Sequence, residues 1–107
     1  MAAVLQHNIT TTLTQNLLEA GDNVNDIKAI TLANVDSSND AEVDLFLNKG
    51  DNNFYILKNV SIPHKNTLVL YPEDNIVFNN SSAGFSLRIK VDNGSGAATA
   101  VDVIIKR

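Results

Sequence analysis

The side chains best suited to acid–base or metal chemistry near neutral pH are His7 and His64, the 2 histidines of the chain. Neither belongs to a His-x-Glu, His-x-x-x-His or His-Glu-x-x-His spacing, whereas a zinc or iron centre needs three or four ligands converging at ~2 Å. His64 follows Pro63 in a polar stretch that reads as a turn, and His7 lies in a Thr- and Asn-rich segment. Cysteine is absent, which removes thiolate metal sites, iron–sulfur clusters, cysteine nucleophiles and disulfides together. Serines and threonines are plentiful, yet there is no Gly-x-Ser-x-Gly elbow and no histidine placed to activate a hydroxyl. Asn93-Gly94-Ser95-Gly96 offers Gly-x-Gly without the third glycine or the following helix that would present amide donors to an anion.

Two oxygen-rich stretches complete the inventory. Asp36-Ser37-Ser38-Asn39-Asp40-Ala41-Glu42 places carboxyl and hydroxyl oxygens at alternate positions, like the opening of a calcium loop. It lacks the central glycine and the closing glutamate of that geometry. Asp22-Asn23-Val24-Asn25-Asp26 is incomplete in the same way, and both read as turns between strands. The expectation is a non-enzymatic chain with no metal and no cofactor. Finding His64 within hydrogen-bond reach of a buried carboxylate would reopen that conclusion.

The elements that would position these residues show a period of two. Ala41, Val43, Leu45 and Leu47 alternate with Glu42, Asp44, Phe46 and Asn48, so a strand there buries the first set and turns out the second. Phe85, Leu87, Ile89 and Val91 alternate with Ser86, Arg88, Lys90 and Asp92 in the same manner. The run Thr99 to Lys106 turns Val101, Val103 and Ile105 inward; Ile104 breaks its polar face and is a candidate contact with another chain. β-Branched crowding at χ1 disfavours a helix there. Shorter candidates are Asp26 to Val35, with the apolar Ile30, Leu32 and Val35, and Asn53 to Ile62, with Phe54, Ile56, Val60 and Ile62. Asn66 to Tyr71 and Asn75 to Phe78 are further candidates, and Asn8 to Ala20 is read as extended.

Asn, Asp, Gly and Pro clusters punctuate these runs at intervals of about 8–12 residues, the spacing of a sandwich or barrel. They include Gly21-Asp22-Asn23, Lys49-Gly50-Asp51-Asn52, Pro72-Glu73-Asp74, and Asp92 to Ala98, read as a hairpin tip. The fold expected is therefore all-β: an antiparallel two-sheet β-sandwich, jelly-roll or Ig-like, with about eight short strands. It forms one domain over residues 1–107, with residues 1–8 as an extended N-terminal arm. No run approaches the ~18 apolar residues of a membrane span, and the start lacks the basic and apolar regions of a secretory signal. A net charge of −4 has the wrong sign for gripping phosphate backbones, so neither nucleic acid nor membrane is an expected partner.

Marginal stability and open edges point toward assembly. Roughly two dozen large apolar side chains at ~1.5–3 kcal/mol each offset the ordering entropy of such a chain only narrowly. Phe46, Tyr55, Leu57 and Val69 fall on faces opposite the expected core, and Phe46 and Tyr55 lead as interface anchors because aromatics bring area at small entropy cost. Arg88, Lys90, Lys106 and Arg107 would form a basic stripe if the last two strong strands were neighbours. The candidate interface set is thus Phe46, Tyr55, Leu57, Val69, Arg88, Lys90 and Ile104.

The order of segments carries a resemblance. Ile27-Lys28-Ala29-Ile30-Thr31-Leu32-Ala33-Asn34 is followed by an Asp-rich turn and Ala41 to Leu47. Then come Phe54-Tyr55-Ile56-Leu57, Val60-Ser61-Ile62-Pro63, Asn66 to Leu70 and Gly84 to Ile89. Over residues 10–105 this resembles the small β-sandwich virion structural proteins of tailed bacteriophages, of marine cyanophage type. The resemblance implies a capsid decoration or cement protein, or else a neck, tail or fibre component, made in the host cytoplasm and located in the virion. Its partners would be itself, as a homo-oligomer such as a trimer, and other virion proteins such as the major capsid protein. A carbohydrate- or cell-surface-binding module is the contrasting reading; with no Trp and 2 Tyr, the chain is poor in the aromatic platforms it would need.

Overall fold

The three alternating runs become three of the longer strands of a computed structural model that describes residues 4–71 and 76–107. In chain order the strands are β1 (Val4–Ile9), β2 (Gln15–Leu18), β3 (Asp26–Ile27), β4 (Ala29–Asn34), β5 (Ala41–Lys49), β6 (Asn52–Ile62), β7 (Thr67–Leu70), β8 (Ile76–Val77), β9 (Ser86–Asp92) and β10 (Val101–Lys106). No helix occurs among the described residues. The turn Pro72-Glu73-Asp74, and Asn75 at the head of the expected Asn75–Phe78 strand, lie outside the described residues, as do residues 1–3.

The pairing follows one rule. β1 pairs with β10, β2 with β9, β3 with β8, β4 with β7 and β5 with β6, every pair antiparallel. The chain is thus one long ribbon doubled back at the β5–β6 hairpin, where Gly50 takes φ 60°. The ribbon folds alternately into two four-stranded sheets, in the orders β1-β10-β4-β7 and β2-β9-β5-β6, with β3–β8 as a small ladder of its own. That is jelly-roll topology, which settles between the two sandwich types expected. Eight strands make the two main sheets, and the ladder brings the total among the described residues to ten.

The core lies between the sheets, where the period-two pattern places it. Ile30, Leu32, Val101, Val103 and Ile105 of the first sheet meet Val43, Leu45, Leu87, Ile89 and Val91 of the second, all fully buried. Each such side chain contributes about 1.5–3 kcal/mol on leaving water. Two buried asparagines close the ends of the sandwich. Asn80 donates its side-chain amide to Glu19 O at 3.0 Å and Phe85 O at 2.8 Å, and its Oδ1 accepts Val24 N at 2.9 Å. Asn34 donates to Asn39 O and Ile62 O, both at 2.9 Å, and its Oδ1 accepts Asp36 N at 3.0 Å. Each satisfies loop groups that burial would otherwise leave unpaired.

Several sequence expectations are corrected. Residues 4–8 are no free arm: they belong to β1, in register with β10. Val35 is exposed because Asn34 occupies the inward position after Ile30 and Leu32. Asp92 to Ala98 is not a hairpin tip, since β9 and β10 lie in different sheets and the loop crosses between them. For the same reason the basic stripe does not form: Arg88 and Lys90 belong to one sheet and Lys106 to the other. β6 carries two inserted residues relative to β5, with register shifts between Val43 and Leu45 and between Leu45 and Phe46. These insertions pair Leu57 with core-facing Leu45, and Leu57 packs against the core. Phe54, expected inward, is 54% exposed near the turn that closes the β5–β6 hairpin.

Candidate functional site

The outer face of the β2-β9-β5-β6 sheet holds most of the expected interface residues, and it is largely covered by its own side chains. Phe46 has Arg88 across from it on β9 and Tyr55 across on β6. The Phe46 and Tyr55 rings lie 5.1 Å apart and tilted by 48°, and the Lys58 ammonium sits 4.5 Å from the centre of the Tyr55 ring. Arg88 is braced by donating Nε–H to Ser86 Oγ at 3.1 Å, and Lys90 meets Asp92 at 3.5 Å. Phe46 is consequently 6% exposed: it faces outward as the alternation requires, yet it presents almost no area to a partner. Tyr55 remains exposed, inside a rim of Lys58, Asp44 and Arg88.

The opposite outer face, on β1-β10-β4-β7, is different. The registers align Gln6, Ile104, Thr31 and Val69 in one row across all four strands, roughly 14 Å long at the usual strand spacing. Ile104 is 43% and Val69 is 52% exposed. The row beside it runs Asn8, Asp102, Ala33 and Thr67, and the amide of Asn8 donates to the Asp102 carboxylate. Small Ala33 and Thr31 leave no ridge between the two apolar side chains, and the first row carries no charge. Thr31 and Gln6 were not singled out from sequence, although alternation about Ile30 and Leu32 already turns Thr31 outward.

The seven expected interface residues are therefore distributed over three environments. Phe46, Tyr55, Arg88 and Lys90 share one outer face, Val69 and Ile104 share the other, and Leu57 packs on the core.

The histidines do not assemble a catalytic arrangement with each other. His7 is in register with core-facing Val103 on β1, while His64 lies in the turn between β6 and β7. The His64 ring stands 3.3 Å from Asp40 Oδ1, and the same oxygen accepts the His64 backbone amide at 3.2 Å. The His64 amide, followed by its ring, holds the Asp40 carboxyl below its ordinary value. The carboxylate is exposed, so the buried acid that would reopen a catalytic reading is not what His64 meets. Asp36 Oδ1 accepts the amides of Ser38 at 2.9 Å and Asn39 at 3.0 Å, which lower its pKa and close an Asx turn. No cluster of three or more metal-ligating side chains occurs among the described residues.

Two of the surface depressions lie beside these residues. One runs beside β1 and β10, lined by Gln6, His7, Asn8, Asp102, Val103 and Ile104. Its titratable groups diverge, because His7 shares the face of Val103 whereas Asp102 shares that of Asn8. The other is apolar and lies between the β6 and β7 edges, lined by Ile56, Val69, Leu70, Tyr71 and Ile76.

Fold and surface together define a jelly-roll sandwich with one self-covered outer face and one flat, uncharged outer row. Among solved structures, the crystal structure of Yersinia pseudotuberculosis-derived mitogen is similar over 98% of this chain and 84% of its own, with 12% identity and a TM-score of 0.45. No protein-family model matches the chain, and no curated protein matches it.

Proposed function

We propose that this chain is a non-enzymatic structural subunit of a tailed-bacteriophage virion, a capsid decoration protein that works by self-association and docking on the particle. The observation that carries the reading is the outer row Gln6–Ile104–Thr31–Val69. It is uncharged and sets two exposed apolar side chains, Ile104 and Val69, on one sheet face, whereas exposed Leu13, Val35, Phe54, Tyr55, Tyr71 and Val77 lie outside it. Another surface can pack on this row without burying a charge. The jelly roll is a fold on which capsid components recur, and that analogy with the segment order described above supplies the virion context.

The virion assignment is tested on the phage that encodes the chain. Antibody against the purified protein is expected to label assembled heads in electron micrographs, and mass spectrometry of purified particles to find the chain at many copies. A chain present in infected-cell lysate but absent from purified particles contradicts the reading. Exposed Tyr71, beside the apolar β6–β7 depression, favours the carbohydrate-binding alternative. Glycan-array binding lost in Tyr71→Ala would establish that alternative instead.

A further inference from the structure

The four outer strand edges of the sandwich are not alike. β6 is interrupted by two inserted residues, with Asn59 at φ 52° and its amide bound by Asp44. β2 has 4 residues and slips register between Asn16 and Leu18. β7 also has 4 residues, and its sequence is bracketed by Pro63 and Pro72. Short length, bulges and flanking prolines are the devices that stop an edge from recruiting another strand. β1 has none of them. Its 6 residues, Val-Leu-Gln-His-Asn-Ile, run in unbroken register with β10 and contain no Asp, Glu, Lys, Arg, Gly or Pro. Among the described residues, no strand pairs with its other side.

We infer that the β1 edge pairs antiparallel with the β1 edge of a second copy of this chain, about a twofold axis. The two four-stranded sheets then become one continuous eight-stranded sheet. This rests on the assembly reading above and gives it a geometry. A second copy is the occupant for three reasons. Two identical edges related by a twofold are self-complementary and close after one pairing. The absence of formal charge along β1 means that no like charges oppose each other across the joint. Finally, Gln6 ends the row that runs through Ile104, Thr31 and Val69, so pairing at β1 carries the uncharged band from one copy into the next.

Side-chain parity limits the register. Residues directly opposed in a ladder share a face, so the axis passes at a residue and not between two, and Gln6 and His7 are the positions that leave the most of the 6-residue strand paired. The Gln6 register sets the two Gln6 amides against each other on the outer face, and it avoids stacking two imidazoles on the core side.

Because the chain has no cysteine, a single introduced thiol reports the joint without background. Opposed positions in a ladder bring Cβ atoms within ~4.5–5.5 Å, at the reach of a disulfide after small adjustment. Under mild oxidation Gln6→Cys is expected to give a covalent dimer at least tenfold faster than Ser61→Cys on the interrupted β6 edge. His7→Cys crosslinking in its place would move the axis by one residue and still support the pairing. Equal rates at Gln6, His7 and Ser61 overturn it. Gln6→Lys, whose exposed position leaves the circular dichroism spectrum unchanged, is expected to weaken dimerisation at least tenfold by light scattering. An oligomer that survives Gln6→Lys but dissociates in Ile104→Glu/Val69→Glu would refute the β1 joint and leave the assembly reading standing. A wild-type monomer with no crosslink at either position would refute both.

Discussion

One oxygen of the Asp44 carboxylate accepts the backbone amide of Asn59 at 2.7 Å, and the other meets the Lys58 ammonium at 3.4 Å. This holds the insertion in β6 at the point where Asn59 adopts φ 52°, a left-handed conformation that Asn tolerates better than most residues. The consequence is felt along the strand: after the insertion Leu57 packs on the core, and Tyr55 lies against Phe46 on the outer face. A carboxylate on β5 thus binds the backbone of β6 at the first of its two register shifts.

Asp44→Ala should therefore lower stability by about 1–2 kcal/mol, the worth of a charge-assisted hydrogen bond that is partly screened. Asp44→Asn, which keeps an acceptor for the Asn59 amide, should lose less. Urea unfolding monitored by Tyr55 and Tyr71 fluorescence measures both. Equal stability of Asp44→Ala and wild type would show that the insertion holds itself.

Asn80 ties the β2–β3 and β8–β9 loops together through three hydrogen bonds while completely buried. Asn80→Ala leaves Val24 N–H and the Glu19 and Phe85 carbonyls without that partner, a loss of roughly 3 kcal/mol or more. Asn80→Asp removes two donors and points a charge at two carbonyl oxygens, so it should be no better tolerated. Denaturation midpoints of the two variants check this.

Gly84 and Gly50 offer a contrast in the same measurement. A Cβ on Gly84 would collide with Asn79 O and lie 2.8 Å from Asn79 C, both backbone atoms that cannot step aside. Gly84→Ala is expected to cost about 3 kcal/mol or more. At Gly50 nothing lies within 4 Å, and only the φ of 60° opposes a side chain, so Gly50→Ala should cost about 1 kcal/mol.

Asp40 gives the acid dependence its sign. Its folded pKa lies below the ordinary 3.8, chiefly through the His64 backbone amide and then the His64 ring. A lowered folded value stabilises the fold in full above the unfolded pKa, and the contribution fades as pH falls through the folded one. Asp40→Asn should leave the melting temperature less sensitive to pH below about 4 than in wild type. Unchanged acid sensitivity would place the responsible carboxylates elsewhere, with Asp36 and its Ser38 and Asn39 amides the next to examine.

The strands that alternate cleanly were legible in the sequence because burial on one face is a local pattern. β5, β9 and β10 fall where period two put them, and Val43, Leu45, Leu87, Ile89, Val101, Val103 and Ile105 are buried as that pattern requires. The β6 faces were not legible, since two inserted residues shift the alternation and their positions are defined only against the partner strand β5. Nor was the separation of β9 from β10: a seven-residue stretch of small and turn-forming residues fits a hairpin tip as well as a crossing loop, and only the whole ribbon's pairing decides. The candidate surface was legible in part. Ile104 stands out as an apolar residue on a polar face, but the row it forms with Thr31 and Val69 requires the β10–β4–β7 order.

The measurement that bears most directly on this account is light scattering of wild type, Ile104→Glu/Val69→Glu and Tyr55→Glu side by side at micromolar to millimolar concentration. Wild type and Tyr55→Glu are expected to elute as the same multiple of the 11.6 kDa chain, and Ile104→Glu/Val69→Glu as a folded monomer or a smaller assembly. A wild type that stays at 11.6 kDa throughout, or an assembly broken by Tyr55→Glu and untouched by the paired change, would contradict it.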